Sequence, residues 1–117
     1  RIIDPNSIDY NIIRINEYIA GLNQVKVYAT VSSYKDDESL KFICNMIKKD
    51  FSSFSNIIIC LYSDTQNGIN LANGLASLSN IAGAPNDWIA MYTHNSFEDD
   101  YFDNNPMAYN NTNRLKK

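Results

Sequence analysis

The sequence predicts an α+β domain of two layers. A four-stranded mixed sheet carries one main helix on one face, with the element order β-β-α-β-(short α)-β. Three observations predict it. Val25, Val27, Ala29 and Val31 alternate with polar residues; Leu40, Ile43, Cys44, Ile47 and Phe51 recur at helical spacing; and a nearly unbroken apolar run then fills Asn56 to Ser63. Side chains alternate across a strand and return every ~3.6 residues along a helix, so the two changes of period mark strand, helix and strand. A helix between two strands of one sheet predicts that those strands are parallel, joined by a right-handed crossover.

The elements follow in order. Arg1 to Ser7 contains the turn-forming cluster Asp4-Pro5-Asn6-Ser7 without periodicity, which predicts an irregular lead-in. Tyr10 to Ile15 is rich in β-branched and aromatic residues and predicts a first strand, closed by a hairpin-like connection at Ala20-Gly21-Leu22-Asn23. In the second strand the valines face the core, and Lys26, Tyr28, Thr30 and Ser32 face the other way. Asp36 or Asp37 can accept from the free amides of the first helical turn, where negative charge also suits the helix dipole. The helix runs from Asp37 to Phe51, with Lys48 and Lys49 at its favourable positive end.

Asn56 to Ser63 is too uniformly apolar for an edge strand, which predicts a central position. Between Asp64 and Pro85, Leu71, Leu75 and Leu78 suggest a short helix, while Gly68, Gly74 and Gly83 argue against a long one. Trp88 to Asn95 predicts the last strand, with Trp88, Ala90, Tyr92 and His94 on one face and Ile89, Met91 and Thr93 on the other. Residues 8–97 therefore form one domain, and 1–7 and 98–117 are expected to be irregular flanks.

Composition narrows the function classes. The chain has 117 residues, 44% hydrophobic and 20% charged, in keeping with one ordinary globular domain. Its net charge of -3 gives no electrostatic reason to expect nucleic acid or an anionic membrane surface. No apolar run approaches the ~20 residues that span a bilayer. Cys44 and Cys60 do not form a Cys-x-x-Cys motif and can pair only if the helix and the strand bring them within reach.

The chemistry-bearing residues are few. His94 is the single histidine, which excludes multi-histidine metal sites and leaves any acid–base role to one imidazole with Asp87 or Glu98. There is no Gly-x-Ser-x-Gly and no phosphate-binding glycine loop, and both cysteines are predicted to face inward. Glu98, Asp99, Asp100 and Asp103 form an acidic group, but they lack the alternating order of a calcium loop and read as acidic surface. No cofactor and no metal are predicted. The candidate binding residues are Tyr28, Thr30, Trp88, Tyr92 and His94. With one helix for two faces, the sheet's second face would present Tyr28, Thr30, Trp88 and Tyr92, whose polar-tipped aromatic rings suit interfaces. The alternative is that the Gly68 to Pro85 segment or the tail covers them.

Several segments together are similar to a small family of bacterial domains of unknown function, often found in exported proteins or lipoproteins. They are Tyr10-Asn11-Ile12-Ile13, Val25-Lys26-Val27-Tyr28, Asp37-Glu38-Ser39-Leu40, Asn56-Ile57-Ile58-Ile59-Cys60-Leu61-Tyr62 and Trp88-Ile89-Ala90-Met91-Tyr92. The resemblance implies the fold and an exported or envelope location, and it transfers no catalytic residue. The expected function is a non-enzymatic binding or interaction module that uses the aromatic face or the acidic loop, with an unknown protein or a small ligand as its partner. The alternatives are an inhibitor or immunity-type protein with a basic partner, and a small hydrolase using His94.

Overall fold

The computed structural model describes residues 10–18, 21, 23–32, 36–75 and 87–106. In chain order they form β1 (Tyr10–Tyr18), β2 (Gln24–Val31), α1 (Asp37–Asp50), β3 (Asn56–Ser63), α2 (Gln66–Asn73), β4 (Trp88–Asn95) and β5 (Tyr101–Asp103). Among the described residues the architecture is α+β, a mixed five-stranded sheet in the order β1-β2-β3-β4-β5 with two helices. β2 and β3 pair in parallel, and the other neighbours are antiparallel. The apolar Asn56–Ser63 strand is central, as its composition requires. The expected irregular lead-in, 1–7, and residues 107–117 of the expected irregular flank 98–117 lie outside the described residues.

α1 starts where Asp36 Oδ1 accepts from the Ser39 amide at 2.9 Å. Asp37 and Glu38 follow in its first turn, and Lys48 and Lys49 occupy its last. Its apolar stripe, Leu40, Ile43, Cys44 and Ile47, packs on Val25, Val27, Val31, Ile57, Ile59, Leu61 and Ala90. Each such aliphatic side chain, fully buried, contributes roughly 1.5–3 kcal/mol, so this layer is the main source of stability.

Two expectations are corrected. The sheet has five strands rather than four, because Tyr101–Asp103, expected to be irregular, pairs with Met91 to Thr93. Three residues are too few to show a period, so only the free edge of β4 reveals this strand. The second correction concerns the layers. α2 lies on the face opposite α1, with Leu71 and Ala72 packed against Tyr28, Cys60 and Tyr62. The second face is therefore covered where Tyr28, Cys60 and Tyr62 lie.

α2 is held at each end by local signals. Thr65 Oγ1 accepts from the Gly68 amide at 3.1 Å. Gly74 adopts φ 72°, and its amide and that of Leu75 close the helix on Leu71 and Asn70 carbonyls. That left-handed cap suits glycine.

Candidate functional site

The register separates the residues expected to form one aromatic face. Opposite Ile57, Ile59 and Leu61 stand His94, Tyr92 and Ala90, all on the α1 side. Between Ala90 and Trp88 the register slips, and Trp88 stands opposite Tyr62. The extra residue, Ile89, packs into the α1-side core, so Trp88 crosses to the α2 side. Tyr28 and Thr30 are on that side too, with Cys60 and Tyr62 as their neighbours on β3. The structure thus brings Tyr28 and Trp88 together around Tyr62 and leaves Tyr92 and His94 on the other face.

Nor is the α2-side face open. Tyr28 is 8% exposed, Tyr62 7% and Thr30 1%. The rings form a ladder, Tyr28 to Tyr62 at 6.5 Å and Tyr62 to Trp88 at 6.3 Å between centroids, in near-parallel planes. Arg14 closes one end with its guanidinium carbon 3.9 Å from the Tyr28 centroid, and its Nε donates to the Ala72 carbonyl at 2.9 Å. A cation on a ring face that also binds the last carbonyls of a helix ties β1 to α2. The covering segment was the alternative left open in the sequence, and α2 supplies it.

On the α1 side, a polar cluster forms where the end of α1 meets β4 and the turn into β5. Asp100 is its hub. Its Oδ2 accepts from Lys48 Nζ at 2.6 Å and from the Tyr92 hydroxyl, and its Oδ1 lies 2.5 Å from His94 Nδ1. An ionised carboxylate can only accept, so Nδ1 carries a proton. Lys48 Nζ also lies 3.3 Å from the Tyr92 oxygen, completing a closed set of bonds.

Partial burial alone would raise the Asp100 carboxyl pKa, but the bonds from Lys48, Tyr92 and His94 outweigh it and hold the group well below the usual carboxylate range. The bond to Asp100 raises Lys48, while burial, and then the bond to Asp100, raises Tyr92. The charged carboxylate and ammonium and the neutral phenol are therefore the stable forms. His94 has the orienting carboxylate of a catalytic pair, but among the described residues no hydroxyl or thiol nucleophile is bonded to it. The cysteines lie in the cores on opposite faces of the sheet, and both are free thiols. Burial pushes the Cys44 thiol up to about 12 and also raises Cys60. Among the described residues no group of His, Cys, Asp and Glu side chains is arranged to hold a metal ion.

The acidic residues reach further than the sequence indicates. Asn104, just after β5, donates from Nδ2 to Asp37 Oδ2 at 3.0 Å, across 67 residues of sequence. This bond joins the end of β5, beside Asp103, to the first turn of α1, whereas Glu98 and Asp99 lie next to Asp100 at the last turn, beside Lys48. Where Asn104 meets that first turn lies an open depression of about 610 Å³, lined by Asp36, Asp37, Glu38, Lys41 and Asn104. Lys41 Nζ sits 5.4 Å from the Phe102 centroid, the cationic contact between α1 and β5. Spacing alone could flag each acidic group, but nothing in the sequence indicates that Asn104 meets Asp37. Among the described residues no helix is long and apolar enough to cross a membrane. No protein-family model matches the chain, and no curated protein or solved structure matches it either.

Proposed function

We propose that the protein is a non-enzymatic binding module whose recognition surface is the acidic edge formed by the first turn of α1 and the segment around β5, and that its partner is a basic protein surface. The observation that carries this reading is the open depression at the first turn of α1, lined by Asp36, Asp37, Glu38, Lys41 and Asn104, where the Asn104–Asp37 bond ties the end of β5 to the helix. Burial of Tyr28, Thr30 and Tyr92 favours this edge over an aromatic sheet face. An inhibitor or immunity-type protein that occupies a basic partner is one form of the same activity. Complementary charge of this kind speeds encounter and rejects wrong partners, and its effect weakens as salt screens it.

The test is binding of an arginine-rich peptide, measured by calorimetry at low and high salt. The wild-type chain should bind, with affinity falling steeply as salt rises. The Asp37→Asn/Glu38→Gln/Asp103→Asn variant should lose most of the affinity and most of the salt dependence. Equal binding by the two proteins would sink the reading.

A further inference from the structure

Phe97 is the most exposed large apolar side chain among the described residues, at 93%. Scattered exposed apolar residues are ordinary, so exposure alone decides nothing. What distinguishes Phe97 is how its neighbours are disposed. Three consecutive acids follow it, and they divide their tasks. Asp100 turns inward and takes Lys48, Tyr92 and His94. Glu98 and Asp99 point outward, and among the described residues neither carboxylate has an ion-pair partner. Lys48 and His94 are engaged by Asp100, so among the described residues no cation pairs with the outer carboxylates of the turn that carries Phe97.

The turn is also held from both ends. At its start Asn95 Oδ1 accepts from the Phe97 amide at 2.9 Å and the Glu98 amide at 2.8 Å. At its end the Asp100 hub ties it to α1 and β4. These bonds hold the backbone that carries Phe97, whose ring stands exposed. A backbone already ordered before binding loses little further freedom on docking, and aromatic anchors supply much of the energy of protein interfaces. Tyr101, 58% exposed just beyond the hub, adds a second ring at the start of β5.

We propose that Phe97 is the anchor of the interface. It inserts into an apolar pocket of a protein partner whose rim carries lysine or arginine side chains that meet Glu98 and Asp99. This deepens the acidic-edge reading and rests on it: the edge steers a basic partner, and Phe97 supplies the affinity. Uncompensated charge beside the ring selects a basic rim, because an acidic or dry apolar surface would leave Glu98 and Asp99 repelled or stripped of water without a counter-charge.

The test is a phage-displayed library of random peptides selected on the intact wild-type chain and measured on three variants. Phe97→Ala removes a side chain that touches little else, so its fold, checked by circular dichroism and thermal unfolding, should match wild type. Glu98→Gln/Asp99→Asn removes the flanking charge, and Asp37→Asn/Glu38→Gln/Asp103→Asn neutralises the remaining edge. Selected peptides should combine Lys or Arg with large apolar residues. Phe97→Ala should weaken them about tenfold or more, and the flank variant should reduce their salt dependence. If basic peptides bind Phe97→Ala as tightly as wild type yet lose affinity for the edge variant, the anchor proposal is overturned while the acidic edge stands. If the peptides need Phe97 but carry no positive charge, the basic rim is overturned. If no peptide discriminates any variant, both readings fall.

Discussion

Asp100 accepts from side chains supplied by the end of α1 and by two positions of β4, and this one carboxylate fixes the turn between β4 and β5. Its depressed pKa has a definite consequence for stability. A carboxyl group whose folded pKa lies below its unfolded value, about 4, adds stability that is complete above that value. That contribution is lost as pH falls through the folded pKa. The Asp100→Asn variant should therefore be less stable than wild type at neutral pH, by about 1–3 kcal/mol. The difference should shrink steadily as the medium is acidified below pH ~4, where the wild-type carboxylate loses its advantage. Urea unfolding of both proteins at neutral and acid pH measures this, and a gap independent of pH would contradict the charged hub. In the sequence Asp100 stands as one of four neighbouring acids, with nothing to single it out. Only the approach of Lys48 and Tyr92 separates it from Glu98 and Asp99.

At the scale of elements, the strongest local signals proved sufficient. The valine alternation and the Leu40 to Ile47 stripe each specify their element without help from the rest of the chain, because burial on one face requires that period, whereas the choice of Asp36 over Asp37 as the cap is made by the structure. α2 was only half legible. Its glycines lower helix propensity, yet two of them are placed where the packing needs them. A Cβ on Gly68 would lie 1.9 Å from the Ser63 carbonyl oxygen, so the first turn of α2 can rest on the end of β3 only without a side chain there. Gly68→Ala should destabilise the protein by about 1–3 kcal/mol, although alanine is the better helix former. Thermal unfolding of the variant checks this, and a raised melting temperature would show that the contact is not close. The slip at Ile89 was equally invisible, since strict alternation and a bulge give the same composition. Its effect was large, because it moved Trp88 across the sheet.

For the molecule as a whole, two covered faces leave both cysteines in dry surroundings on opposite sides of the sheet. A thiol with a raised pKa is a poor nucleophile, so neither should react with a thiol reagent at neutral pH until the domain opens. Labelling should be slow in native buffer and complete in denaturant; fast native labelling would show that one face is open. The sequence by itself determined the α+β class, the parallel β2–β3 pair around α1, the central place of β3 and the inward cysteines, because each is dictated by the period of burial along a continuous segment. The tertiary structure alone decided that α2 covers Tyr28 and Thr30, that a fifth strand closes the sheet, and that Asp37 meets Asn104. It also decided that Asp100 turns in while Phe97, Glu98 and Asp99 face out. These depend on contacts between segments far apart in the chain, whose meeting no local period encodes.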